Sequence, residues 1–213
     1  MLILTKFKYT KKAGMTLVEM LIAMFIFLIG IAGLTMLASK SWGMNSFVIE
    51  SGNATSKATS ALNSVIKNLR KIRQADDGSY PVKEVGSNSL TVYLDDDNTA
   101  DGKVERVRYY LDSATQTLKK GVTKSSGTPA SYPAAETISV VANYVVNTPA
   151  QPVFEYYNSD YPIDTINNPL VNPAVADVKL VKVRLWVNIK PLTAPDNVNL
   201  ESFVEFRNLN DNY

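Results

Sequence analysis

Glu19 is the only ionisable side chain between Lys12 and Lys40, and it stands four residues after Met15, which itself follows Gly14. A cut after Gly14 would leave a new ammonium on Met15. A carboxylate four residues along is placed to neutralise that charge on its own helix or on a neighbouring one. Such pairing would offset the cost of a carboxylate in a bilayer, roughly 2.5 to 3.5 kcal/mol near a helix centre and less toward the interface. The other reading is a single-pass anchor in which the acid merely marks the interface.

A second cluster with chemical potential is Asp95-Asp96-Asp97-Asn98-Thr99-Ala100-Asp101-Gly102. Hard cations such as calcium take oxygen ligands at this kind of alternating spacing, and Asp95, Asp97 and Asp101 are the candidate contributors. The match to an EF-hand loop is incomplete: Thr99 occupies a ligand position, the glycine falls two places late and no bidentate Glu follows. A solvated acidic turn is the preferred reading, with no cofactor required. Tyr156, Tyr157 and Tyr161, near Phe154, form either an exposed aromatic surface for adhesion or the edge of a core, and the core edge is preferred. Met20, Met24 and Met36 are helix-packing or lipid-facing fillers.

Composition removes other chemistries. The chain has 213 residues, no Cys and no His. Disulfides, thiolate metal sites and cysteine nucleophiles are therefore excluded, and the commonest general base and zinc ligand is missing. No catalytic residue is assigned, and an enzyme is not expected. The formal charge of +2 includes Lys6, Lys8, Lys11 and Lys12, so removing a leader that ends at Gly14 gives −2 from side chains. The basic pI is thus no nucleic-acid signal, and neither a phosphate-cradling glycine loop nor a basic and aromatic strand is present.

The elements that must position Glu19 are legible from hydropathy. Residues 20–38 are uncharged and interrupted only by Thr35. Nineteen residues at about 1.5 Å each span roughly 28 Å, close to the hydrocarbon thickness of a bilayer. This run is longer than the apolar core of an ordinary secretory signal, and the lysines ahead of it stay on the cytoplasmic side. The rest of the chain then faces outward. No proline occurs between Met1 and Ser79, which permits one long helix. Ala54, Ala58, Ala61, Leu62, Val65, Ile66, Leu69 and Ile72 continue it as an amphipathic stripe, ending at Asp76-Asp77-Gly78.

Beyond that point the pattern predicts strands at 89–94, 104–111, 116–120, 138–146, 153–157, 178–189 and 200–206. Between Pro149 and Pro173 five prolines predict an irregular excursion. The expected fold is α+β: a long N-terminal helix, half membrane-spanning and half amphipathic, packed on an antiparallel sheet. The corresponding segments are a leader at 1–14, a membrane or filament-core helix at 15–38, its amphipathic extension at 39–75 and a β-rich domain at 76–213.

Gly14-Met15-Thr16-Leu17-Val18-Glu19 followed by the apolar run resembles the cleavage and methylation signal of type IV prepilins and type II secretion pseudopilins. The resemblance implies that a prepilin peptidase cuts after Gly14 and methylates Met15, and that Glu19 recruits the subunit by pairing with the terminal amine of a neighbour. Met15 replaces the phenylalanine most common at the first mature position, a change the family tolerates. More loosely, Val107 to Asp112, Leu118-Lys119-Lys120, Phe154 to Tyr157 and the closing Phe206-Arg207-Asn208 look similar to larger minor pilins and J-type pseudopilins. Implied partners are prepilin peptidase, other pilin or pseudopilin subunits and the membrane before assembly. The implied location is the inner membrane, then a pilus or a periplasmic pseudopilus. A membrane-tethered binding module or enzyme is the alternative from another class.

Overall fold

The computed structural model describes residues 14–96, 102–133, 135–188 and 197–206. The chain divides into two compact units, the first ending at Val48 and the second beginning at Ile49. One helix, α1 (Leu17–Leu69), contributes to both.

Within the first unit α1 is exposed from Leu17 through Ser46, including Phe25, Phe27, Leu28 and Leu34, each about two-thirds accessible. Two hydroxyls in this stretch bond back to the helix: Thr35 Oγ1 donates to the Ile31 carbonyl at 2.9 Å and Ser39 Oγ to that of Met36 at 3.1 Å. A hydroxyl so satisfied costs little in lipid.

In the second unit the predicted stripe is the buried face of α1: Ala54, Ala58, Ala61, Leu62, Val65, Ile66 and Leu69. The helix nevertheless stops at Leu69, short of the expected Asp76. Ile72 is buried as predicted, but it forms an antiparallel bridge with Leu94. Arg73 N–H donates to the Tyr93 carbonyl, so this segment extends the sheet instead of the helix. Asp76-Asp77-Gly78 forms a later turn, with Gly78 at φ +82°, where a side chain would be strained.

Eight strands follow: β1 (Val82–Gly86), β2 (Ser89–Leu94), β3 (Glu105–Asp112), β4 (Thr117–Thr123), β5 (Thr137–Asn143), β6 (Phe154–Tyr157), β7 (Leu180–Val187) and β8 (Val198–Glu205). They form two antiparallel sheets rather than the expected one, five-stranded in the order β1-β2-β3-β4-β5 and three-stranded in the order β6-β7-β8. β1 is unpredicted, because Val82-Lys83-Glu84-Val85-Gly86 lacks alternation and lies between turn residues. β7 is the central strand of its sheet and alternates, with Val181, Val183, Leu185 and Val187 buried and Lys182, Arg184 and Trp186 partly exposed between them. Leu90, Val92, Val107, Tyr109 and Leu118 share one core with α1, with Phe154, Val183 and Leu185 of the second sheet and with Phe206 just after β8. The α+β architecture is type IV pilin-like.

Tyrosine hydroxyls tie the layers together. Tyr109 accepts from Asn68 Nδ2 of α1 at 3.0 Å. Tyr156 donates to the Gly86 carbonyl at 2.8 Å and accepts from the Gly86 N–H at 3.1 Å, fastening β6 to the β1–β2 turn. Burial pushes both phenols well above the ordinary tyrosine range, so both remain protonated.

Candidate processing and assembly site

Gly14, Met15 and Thr16 are exposed and non-helical, directly ahead of α1. Among the described residues, nothing lies within 4 Å of a Cβ built on Gly14. The helix starts where it does because Thr16 and Glu19 form a capping box. The Thr16 N–H and Oγ1 donate to Glu19 Oε2 at 2.9 and 3.0 Å, and the Glu19 N–H returns a bond to Thr16 Oγ1 at 3.2 Å. Two backbone N–H groups near the helix N-terminus are thereby satisfied by side chains.

This gives Glu19 a second occupation. Its carboxylate is held over the start of its own helix, one residue from the Met15 nitrogen that cleavage would release. Thr16 is the functional residue that composition and hydropathy passed over. Its signal was present, since Thr-Leu-Val-Glu ahead of an apolar run has capping-box spacing.

Behind the cap lies the surface to be covered. Ten Leu, Ile and Phe side chains occur between Met20 and Ala38. At about −0.3 to −0.6 kcal/mol each, they favour insertion by roughly 3 to 6 kcal/mol. α1 is the one helix among the described residues long and apolar enough to cross a membrane. An exposed apolar surface of this extent needs lipid or other helices around it.

The other candidates are placed differently. Asp95 is half-buried, while Asp97 and Asp101 lie outside the described residues. Next to Asp95, Asp96 forms an ion pair with Lys120 and its N–H donates to Glu105 Oε2 at 2.9 Å. Arg73 Nη2 donates to the Gly102 and Lys103 carbonyls at 2.9 and 3.0 Å. Protein cations thus already serve both ends of the acidic segment. No group of three or more carboxylates able to hold a metal occurs among the described residues. Phe154, Tyr156 and Tyr157 are core residues, and Tyr161 packs on Tyr157 with ring centroids 4.4 Å apart.

Residues 9–35 match the family model described as the prokaryotic N-terminal methylation motif. A search of curated proteins finds no match for the chain. The motif and the apolar helix together describe a membrane-anchored, single-pass protein. They imply processing by prepilin peptidase and assembly with other pilin subunits. The chain carries the N-terminal processing signal of type IV prepilins and pseudopilins on a pilin-like α+β fold.

Proposed function

We propose that this chain is a minor pilin-type structural subunit, cut after Gly14, methylated on Met15 and added to a type IV pilus-like filament, in low copy and near the tip. The observation that carries the reading is the capped helix start: an exposed Gly14-Met15 junction, a carboxylate held beside it and, behind it, a helix whose apolar side chains are exposed. Glu19 pairs with the amine of a neighbouring subunit, and the exposed face of α1 exchanges lipid for sister helices. The function is structural, without catalysis. The low-copy placement draws on the size of the β-rich unit and on the loose likeness to larger minor pilins.

A secretion pseudopilin of the same architecture is the second reading, since the signal describes processing and packing rather than what the fibre does. Mass spectrometry of the native amino terminus tests the core of the proposal. N-methyl-Met15 is the expected first residue, and a mature protein still carrying residues 1–14 would refute it.

A further inference from the structure

Two side chains mark a sharp change along α1. Between Lys12 and Glu50 the only ionisable residues are Glu19 and Lys40, and between Phe27 and Phe47 the only aromatic residue is Trp42. Lys40 and Trp42 are both exposed, Trp42 at 76 %. From Met20 to Ala38 the one polar residue is Thr35; Ser39, Lys40 and Ser41 then follow in succession. A lysine lays its alkyl stem along lipid chains while its ammonium reaches the bilayer surface, and an indole settles at headgroup level with its ring in the apolar margin.

Spacing fits that placement. Glu19 and Lys40 are 21 residues apart, roughly 32 Å of helix at about 1.5 Å per residue, against a hydrocarbon core of about 30 Å. With Lys40 at one face of a bilayer, Glu19 reaches the other. A competing register would carry the span on to Met44, Val48 and Ile49, which are also exposed. A span of about 20 residues ending at Ile49 would begin near Gly30, put Lys40 at its centre and leave the apolar side chains from Leu21 to Ile29 in water. Geometry also selects lipid over a protein partner. Successive residues turn about 100° around a helix, so Lys40 and Trp42 point to nearly opposite sides of α1 while differing in depth by only about 3 Å. A flat partner covers one side of a helix, whereas a headgroup layer meets both.

We infer that Lys40 and Trp42 engage the lipid headgroup layer on the side away from the N-terminal lysines, Lys40 pairing with a lipid phosphate, and so fix the depth of α1 before assembly. Depth matters because the Met15 nitrogen of an uncut chain is an amide and offers Glu19 no charge. Outward sliding would draw the Glu19 carboxylate into hydrocarbon and lift Trp42 off the interface; inward sliding would draw the Lys40 ammonium in. The anchor thus holds the Gly14–Met15 bond at the inner face. The inference rests on the membrane-anchored state of the chain, not on which fibre the subunit later joins.

The chain has 2 tryptophans, Trp42 and Trp186, which makes the test direct. Trp186 Nε1 has no hydrogen-bond partner among the described residues, so Trp186→Phe gives up no bond and leaves Trp42 as the only indole. The full chain with this change is reconstituted in phosphatidylcholine and phosphatidylglycerol vesicles whose acyl chains carry bromine either near the glycerol backbone or near the chain end. Trp42 fluorescence should be quenched several-fold more by the shallow bromine than by the deep one. The same difference is read without touching Trp186, as the shallow quenching lost on Trp42→Phe alone. Lys40→Leu should shift the quenching of Trp42 toward the deep bromine, and no shift overturns the phosphate pairing. Leu28→Trp in a chain lacking both native indoles should show the reverse depth order. Strongest quenching of Trp42 by the deep bromine overturns the anchor, as does an unquenched Trp42 when position 28 is quenched. Quenching at neither position overturns the membrane-anchored state as well. The native amino terminus, read by mass spectrometry, is independent of these outcomes, so processing and depth are tested separately.

Discussion

Replacing Tyr156 with Phe removes one oxygen atom and leaves the ring in place, so no cavity opens. Tyr156 is 3 % exposed, and its hydroxyl makes the 2.8 Å and 3.1 Å bonds to the carbonyl and N–H of Gly86. A net hydrogen bond contributes about 0.5 to 1.5 kcal/mol, and a buried group left without a partner costs about 1 to 3 kcal/mol. Tyr156→Phe should therefore destabilise the second unit by roughly 2 to 4 kcal/mol. For a protein of this size that corresponds to a Tm lower by roughly 5 to 12 °C. Tyr157→Phe is the control. Its hydroxyl bonds to Glu155 Oε2 at 3.1 Å, but Glu155 keeps Arg184 Nη1 at 3.2 Å and Lys182 Nζ at 3.8 Å. Its loss should cost under about 1 kcal/mol. Circular dichroism melts of the full chain in detergent measure both. A Tyr156→Phe melt within 2 °C of the parent, or an equal loss from Tyr157→Phe, would show that the link between β6 and the β1–β2 turn is not what holds these layers together.

Other outcomes separate the roles assigned above. Glu19→Gln should preserve membrane insertion and cleavage yet block filament incorporation, while Thr16→Val, which removes a cap typically worth about 1 kcal/mol, should lower incorporation only several-fold; equal defects would remove the charge argument. The Lys119 ammonium, 2.6 Å from Asp112, lowers that carboxyl to about 2. A depressed carboxylate stabilises the fold above its unfolded pKa and stops doing so as pH falls through the folded one, so Asp112→Asn should flatten the stability loss between about pH 4 and pH 2. Stability curves of parent and variant that stay parallel across that window would contradict it. With Lys120 on Asp96 and Arg73 on the Gly102 and Lys103 carbonyls, millimolar calcium should leave the melting temperature unchanged. A saturable rise would instead assign a calcium site to the acidic segment.

Local pattern alone determined much of this protein. The run from Gly14 to Glu19 ahead of an uncharged stretch carries the resemblance to a prepilin processing signal, because a signal read before folding must be written in contiguous residues. The helical stripe from Ala54 to Leu69 and seven of the eight strands were also legible, since burial on one side of a helix or sheet imposes its period on the sequence. Contacts between distant residues decided the rest. Ile72 fits the helical stripe equally well, and only the bridge to Leu94 takes it into the sheet. β1 becomes a strand because β2 offers it a ladder, from Val82 against Val92 to Gly86 against Ser89. The division into two sheets, and the meeting of Lys120 with Asp96, follow from which strands become neighbours. Neighbour choice is a property of the folded chain, where loop closure and shared burial select one pairing among many with the same local pattern.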